Sequence, residues 1–283
     1  MSGRQERGEA RLQGEARLRG ESRLRGAFER AAADGRAAFV PYLTAGFPDP
    51  SSCLGAARAL VRHADVLELG LPYSDPLGDG PTIQRASETA LAAGTRTADV
   101  LALARRLRAE TEVPLVVMTY YNPIYCYQGP GGSGEAGFVH DLVEAGVDGV
   151  ILPDLPPDEA DTLLPMARAA DLATVFLIAP TSTEARLRTV TAASRGFVYA
   201  VSVTGVTGAR DEVPAEVADL VSRARAHTDL PIAVGFGVAS PASATMVARV
   251  ADGVVVGSAL IRTLAEGGDV GAQAAALAAA CRR

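Results

Sequence analysis

Three carboxylates lie at the end of one short apolar segment of this 283-residue chain or in the loop after it. The segment 65–69 (DVLEL) contains Glu68 near its end, and the loop after it, rich in Pro, Gly and Asp, contains Asp75 and Asp79. Side chains alternate along a strand, so Glu68 shares a face with Val66. Burying a carboxylate beside apolar side chains costs free energy unless the group has a partner or a chemical task. Glu68 and Asp79 are therefore candidates for general acid–base chemistry.

The residues alone leave a structural alternative for both carboxylates. Glu68 could be ion-paired inside the fold. Asp79 lies between Gly78 and Gly80, just ahead of Pro81, where it could shape a turn or cap a helix. Spacing by itself does not decide between the structural and the catalytic roles.

The rest of the composition narrows the chemistry. The sequence contains no Lys, and all 27 basic residues are Arg. Schiff-base catalysis and covalent attachment of pyridoxal phosphate both need a lysine amine, so both are excluded. His63, His140 and His227 fall in predicted helices, and the three Cys residues have no metal-ligand spacing. The chemistry must rest on carboxylates, hydroxyls and backbone amides, with no cofactor in this chain.

Charge and hydropathy exclude other classes of protein. The net charge of −6 argues against nucleic acid as the main partner. No apolar run reaches the ~18 residues of a membrane span, and the N-terminus is charged rather than signal-like. We therefore expect no membrane contact and a cytoplasmic location.

Eight short apolar runs, each followed by a helical pattern, dominate the chain. Their weak alternation is typical of parallel strands covered on both faces. Eight strand–helix units in this length predict a (β/α)8 TIM barrel, and the absence of G-x-G-x-x-G after the first strand disfavours an open doubly wound sheet. The strands are predicted at 38–44, 65–69, 114–118, 148–152, 173–178, 197–202, 231–235 and 252–257.

The N-terminal segment 1–26 differs from the rest, because it repeats GEARLQ, GEARLR and GESRLR with Gly every six residues. A period of six does not keep Leu on one helical stripe, and each Gly weakens a helix by about 1 kcal/mol. We therefore predict a disordered or loosely helical extension at 1–26, with a contact to a partner or nucleic acid as the alternative. A barrel domain at 27–283 follows it, with a short helix at 28–33 before the first strand.

Residues at the carboxyl ends of barrel strands are the ones expected to meet a ligand. Tyr42, Tyr120 and Tyr199 lie at or just after such ends, where they could contact a planar ligand or serve as large core residues. The glycine-rich segments 235–237 (GFG) and 257–259 (GSA) follow the last two strands. Backbone N–H groups in these two loops form the usual phosphate site of the fold, although the glycines could also serve tight turns alone.

Several segments together resemble the alpha subunit of tryptophan synthase. They include LELGLPYSDPLGDGPTIQRAS, ILPDLPPDE, YAVSVTGVTGAR, VGFGVAS and VVGSALI, which occur in the family's order between about residues 36 and 262. The resemblance implies a single barrel that cleaves indole-3-glycerol phosphate to indole and glyceraldehyde 3-phosphate. A ring-closing indole-glycerol-phosphate synthase would want a catalytic Lys, which is absent.

The resemblance also implies roles for individual residues. Glu68 and Asp79 match the family's catalytic carboxylates, and Tyr199 and Phe236 match its aromatic substrate contacts. The family's phosphate-binding positions fall on Gly208, Gly237, Gly257 and Ser258.

The resemblance further implies a partner. A beta subunit carrying pyridoxal phosphate would receive indole directly in an alpha2-beta2 complex. The loops 70–81 and 204–210, the second of which contains Thr207, are expected lids, and Asp75 and Pro76 are expected at the partner surface. A free-standing lyase that releases indole, and a non-catalytic barrel that only activates a beta subunit, remain the alternatives.

Overall fold

The strands of the computed structural model, which describes residues 19–201, 215–235 and 237–283, form a parallel barrel and a short hairpin. In chain order the strands are β1 (Ala38–Thr44), β2 (Leu67–Gly70), β3 (Leu115–Met118), β4 (Gln128–Gly129), β5 (Gly132–Ser133), β6 (Gly149–Ile151), β7 (Ala173–Val175), β8 (Leu177–Ile178), β9 (Val198–Val201), β10 (Ile232–Gly235) and β11 (Gly253–Val256). Strands β4 and β5 pair only with each other, as an antiparallel hairpin.

The larger sheet has the order β7-β6-β3-β2-β1-β11-β10-β9-β8, and its neighbours pair in parallel. Only Phe176 separates β7 from β8, so the two ends of the sheet are halves of one kinked strand. The sheet is therefore an eight-stranded barrel, which confirms the predicted fold. All eight predicted strands are present, and no end differs from the prediction by more than two residues.

The helices that the structure describes lie around the outside of the barrel, except for the first. They are α1 (Gly20–Ala33), α2 (Pro50–Val61), α3 (Pro81–Ala92), α4 (Thr97–Glu110), α5 (Tyr121–Tyr125), α6 (Gly134–Glu144), α7 (Leu163–Ala169), α8 (Glu184–Ala193), α9 (Ala215–Arg225), α10 (Pro241–Ala248), α11 (Ser258–Ala265) and α12 (Val270–Ala280). Within the part of the chain that the structure describes, no helix is both long and apolar enough to cross a membrane.

Each barrel strand buries both of its faces, which explains the continuous apolar runs in the sequence. Val40, Val66 and Val116 belong to the cluster that fills the barrel interior. Leu43 and Leu69 belong to the larger cluster between the strands and the outer helices. The interior face of β2 continues from Val66 to Glu68, as strand alternation predicts.

Helix α1 corrects the predicted N-terminal boundary. It begins at Gly20, within the segment assigned to a disordered extension, and not at residue 28. Leu24, Ala27 and Phe28 recur at helical spacing and pack into the barrel interior. These three residues form one apolar stripe, although the six-residue period of the repeat does not match the helical period. Leu24 lies against the start of β6 at Gly149, so α1 covers the N-terminal ends of the strands. Residues 1–18 lie outside the described residues.

The sequence analysis missed two short elements after β3, namely α5 and the β4–β5 hairpin. Each hairpin strand has only two residues, too few for a period-two pattern. Asp141 of α6 holds the hairpin, because it accepts hydrogen bonds from Tyr127 Oη at 2.6 Å and from Gly131 N at 3.1 Å. Asp141, which lies outside the hairpin strands, thus stabilises a hairpin that the local sequence does not predict.

Candidate active site

A cavity of about 320 Å³ opens at the carboxyl ends of the barrel strands. Its wall combines acidic, aromatic and glycine positions from separate strands and loops of the barrel. The residues of the sequence-based prediction that line it are Tyr42, Glu68, Asp79, Tyr199, Gly237, Gly257 and Ser258. The structure therefore brings most of the predicted site together in one place.

Glu68 is buried at the centre of this wall, with only 1% of its surface exposed. It lies on β2 in register with Tyr42 of β1 and Val116 of β3. Within the described residues, its Oε2 atom has no hydrogen-bond partner. Burial raises the pKa of Glu68 to about 8, and the charge of nearby Asp79 adds to the rise. Glu68 is therefore protonated at neutral pH, and no described residue occupies the hydrogen-bonding position of its Oε2 atom.

Asp79 lies half-buried on the loop between β2 and α3. Burial raises its pKa to about 6, while a hydrogen bond from the Tyr120 hydroxyl lowers it. At neutral pH Asp79 is mostly ionised whereas Glu68 holds its proton. When the pKa values of two neighbouring carboxyl groups are shifted apart, one can serve as the acid and the other as the anion at the same pH.

Tyr42 and Tyr199 form the flat parts of the wall, and each ring lies over a glycine of a neighbouring strand. A Cβ atom placed on Gly70 would be 2.0 Å from Tyr42 Oη, and one on Gly235 would be 2.3 Å from Tyr199 Oη. Burial raises the pKa of both phenols well above the ordinary value, so both hydroxyls stay neutral. Neutral aromatic walls suit a planar apolar ligand.

Tyr120 occupies a different place from the one expected for a substrate contact. It is not among the residues that line the cavity within the described part of the chain. Its hydroxyl accepts a hydrogen bond from Gly78 N at 3.0 Å and donates one to Asp79. Its ring stacks on Tyr73, with centroids 5.1 Å apart. Contact with substrate stays a prediction for Tyr120, whereas contact with the Asp79 loop is observed.

The far end of the cavity has the features of an anion site. Gly257 precedes helix α11, and Ser258 is the first residue of that helix. Gly237 has a φ of +79°, a conformation that glycine adopts without strain. Free backbone N–H groups and the helix dipole attract an anion to such a helix start. This end of the cavity therefore suits a phosphate group.

Sequence analysis missed Arg262, which lines the same end of the cavity. It lies four residues after Ser258 on α11, so the two side chains share one face of the helix. Among the lining residues in the described ranges, Arg262 is the basic one. The four-residue spacing from Ser258 is the only signal in the sequence, and such a spacing is too common in helices to indicate a site before the fold places α11 against the cavity.

The remaining predicted residues lie on loops. Asp75 is exposed and Pro76 is half-buried, whereas the sequence analysis expected both at a partner surface. Three predicted positions lie outside the described residues, namely Phe236, Thr207 and Gly208. In the same described part of the chain, no group of three His, Cys, Asp or Glu side chains could hold a metal ion. The absence of a cofactor stays a prediction.

Comparison with known proteins agrees with this geometry. The family model described as tryptophan synthase alpha chain matches residues 28–282. The tryptophan synthase alpha chain of Deinococcus radiodurans is 54% identical over 257 residues, which cover 90% of this chain and 93% of the relative. That of Streptomyces coelicolor is 48% identical over 240 residues, covering 84% and 86% of the two chains.

A solved structure of Mycobacterium tuberculosis tryptophan synthase is 45% identical and superposes with a TM-score of 0.85, covering 92% of this chain and 98% of that chain. The tryptophan synthase alpha subunit of Legionella pneumophila is 36% identical, with a TM-score of 0.82 and coverage of 92% and 98%. Sequence, fold and cavity position all lead to one assignment. The chain belongs to the tryptophan synthase alpha chain family and is a lyase.

Proposed function

We propose that this chain cleaves indole-3-glycerol phosphate to indole and glyceraldehyde 3-phosphate. The observation that carries the proposal is the pair Glu68 and Asp79, which share one cavity while their pKa values lie near 8 and near 6. The cavity also offers aromatic walls at its centre and an anion site at its far end. Each part matches one part of the substrate.

The first step transfers a proton to the indole ring. Glu68 is protonated at neutral pH and donates its proton to C3 of the indole, which places positive charge on the ring nitrogen. Ionised Asp79 accepts a hydrogen bond from the ring N–H and stabilises that charge. A buried site strengthens this interaction, because little water screens it.

The second step breaks the carbon–carbon bond. Glu68, now a carboxylate, removes the proton from the hydroxyl on the carbon next to C3. The C–O bond becomes a carbonyl, the C–C bond breaks, and its electron pair returns to the ring and neutralises the nitrogen. Glu68 ends protonated, so one residue serves as acid and then as base.

The phosphate group is placed at the other end of the cavity. The N–H groups near Gly237 and Gly257 and the hydroxyl of Ser258 are suitable donors for its oxygens. Arg262, one helical turn further, adds positive charge at the same end of the cavity. Binding the phosphate fixes the distance from the anion site to Glu68, which aligns the indole with its acid.

A beta subunit is the proposed partner. Two large apolar side chains are exposed on segments that follow the carboxyl ends of β2 and β3, namely Leu77 at 95% and Tyr125 at 69%. Exposed apolar residues of this size beside a cavity mouth are typical of a protein contact. We propose that the partner covers this surface in an alpha2-beta2 complex and accepts indole at its own pyridoxal phosphate.

The test is indole release from indole-3-glycerol phosphate by the purified chain, alone and with added beta subunit. We expect basal activity and a higher rate with the partner. Pro76→Ala should lower that activation more than the basal rate, whereas Glu88→Gln, on the exposed face of α3, should change neither. No indole under either condition would refute the lyase, and full activity alone with no response to the partner would favour a free-standing enzyme.

A further inference from the structure

The loop between β2 and α3 has two unlike parts. Ser74, Asp75 and Leu77 are exposed, and Leu77 keeps 95% of its surface in solvent. The following residues, up to Asp79, contact two other elements. The part of the loop that carries Asp79 thus contacts other elements of the fold, while the exposed part faces solvent.

Gln84 contacts the loop from α3. Its Nε2 donates a hydrogen bond to the backbone carbonyl of Asp79 at 2.8 Å, and lies 3.5 Å from the carbonyl of Pro76. Both carbonyls belong to the loop and neither belongs to a helix or strand. The half-buried side-chain amide therefore pairs the Asp79 carbonyl, while the Pro76 carbonyl also accepts a backbone hydrogen bond from Asp79 N at 3.0 Å.

Tyr120 contacts the same loop from the opposite side. Its hydroxyl accepts from Gly78 N at 3.0 Å and donates to the Asp79 carboxylate. Tyr120 is itself fixed, because Asp154 accepts hydrogen bonds from the neighbouring Tyr121 N at 2.9 and 3.1 Å. The backbone on either side of Asp79 is therefore tied to two elements.

We infer that Gln84 is a positioning residue for Asp79, which acts with Tyr120 to place the carboxylate before substrate or partner arrives. The inference rests on the proposed function, since it concerns the group that would stabilise the charged indole. A hydrogen-bonded backbone fixes Asp79 in one orientation, and a displacement of about 1 Å at a reacting centre can cost roughly 100-fold in rate. Gln84 touches no reacting atom and does not line the cavity.

The experiment compares Gln84→Met with Arg85→Met. Methionine keeps the length of the glutamine side chain and removes its donors, while Arg85 is the exposed neighbour on the same helix. Gln84→Met should lower kcat roughly 10- to 100-fold and leave the KM for the phosphorylated substrate within about twofold. Arg85→Met should match wild type in both. Equal kinetics of the two variants, or a change in KM alone, would overturn the inference.

Gln84→Glu provides a second readout that a packing role would not produce. Its carboxylate accepts only, so it repels the two carbonyls at neutral pH, and it regains a donor when protonated. Its activity relative to wild type should rise as the pH falls, while that of Gln84→Met should stay flat. A ratio for Gln84→Glu that does not depend on pH would contradict the proposed hydrogen bonds, even if Gln84→Met folds poorly.

Hydrogen exchange separates this inference from the proposed function. In Gln84→Met the backbone amides of residues 77–80 should exchange faster than in Arg85→Met, whether or not the chain cleaves the substrate. If wild type forms no indole, the proposed function fails, while hydrogen exchange still tests whether Gln84 holds the Asp79 loop. Unchanged exchange in an active enzyme removes Gln84 from the positioning role.

Discussion

The two ends of the barrel each hold a buried carboxylate, and the two groups have opposite surroundings. Asp148, at the strand starts, is bound by Arg23 Nη1 and Arg108 Nη2 at 2.7 Å and by two backbone N–H groups at 3.0 Å. Glu68, near the strand ends, has an oxygen without a partner in the described part of the chain. Their exposures are almost the same, at 2% and 1%.

The difference shows that burial alone does not define a catalytic acid. Burial raises the pKa of Asp148 above the ordinary value, and Arg108, the Leu115 N–H and Arg23 all act against that rise. At Glu68 no such group among the described residues opposes the rise, and its pKa reaches about 8. Asp148 therefore ties helix α1 to the barrel as a charged group, whereas Glu68 can exchange a proton near neutral pH.

Removing the acid should give the largest effect on activity. Glu68→Gln should lower indole formation by ~10²–10⁴-fold or more, because the neutral amide can neither deliver a proton to the indole nor remove one from the hydroxyl. The variant should remain folded, since glutamine keeps the shape of the side chain and is neutral, as the protonated Glu68 is at neutral pH. Indole release and thermal unfolding of the purified protein are the measurements, with Glu88→Gln as the matched exposed control. Near-normal turnover in Glu68→Gln would remove Glu68 from the catalytic role.

Removing the other carboxylate should affect stability instead. Asp148→Ala leaves Arg23 and Arg108 without this partner and should lower the free energy of unfolding by about 3–5 kcal/mol. The kcat per folded molecule should stay near that of wild type. Asp158→Ala, which breaks the exposed ion pair with Arg186, is the control and should have little effect. A large loss of kcat in folded Asp148→Ala would show that the two ends are not independent.

The comparison also predicts an unusual dependence of stability on pH. The pKa of Glu68 is raised in the fold, from an ordinary 4.5 to about 8, so the folded state binds more protons than the unfolded state between these values. The contribution of Glu68 to stability is therefore fully present below about pH 4.5 and is lost as the pH rises through about 8. Glu68→Gln should gain stability relative to wild type over this range. Denaturant unfolding at several pH values measures the difference, and parallel curves would contradict the raised pKa.

The smallest expected effects concern the phosphate end of the cavity. Gly257→Val should raise the KM for the phosphorylated substrate roughly 10-fold, because side-chain bulk blocks the approach of the anion to backbone donors. Arg262→Gln should raise it by about fivefold or less, since an exposed charge is screened by water. Steady-state kinetics with both variants tests the order. A larger effect at Arg262 would show that a basic side chain, and not the backbone, holds the phosphate.

The barrel was largely predictable because its strands bury both faces and so appear as continuous apolar runs. Glu68 was identifiable for the same reason, as a charged residue at the end of such a run. Short elements gave no comparable signal, as with the hairpin that Asp141 holds. The start of α1 was missed because Leu24 lies within the repeat, whereas Ala27 and Phe28, which continue its apolar stripe, lie after it.

The supporting residues of the site were less predictable than the acid itself. Gln84 binds backbone carbonyls, and the sequence of a loop does not show which of its carbonyls lack a partner. Tyr120 was singled out for its ring, whereas its hydroxyl makes the observed contact with the Asp79 loop. Arg262 became visible only when the fold placed α11 against the cavity.

The contact between Tyr42 and Gly70 has a consequence for mutational libraries. A Cβ atom at position 70 would be 2.0 Å from the tyrosine hydroxyl, so the two positions cannot vary independently. The same holds for Tyr199 and Gly235, at 2.3 Å. We expect strong epistasis within each pair, because a larger residue at the glycine is tolerated only when the tyrosine shrinks. Directed evolution of a wider substrate cavity should therefore vary positions 42 with 70, and 199 with 235, in the same step.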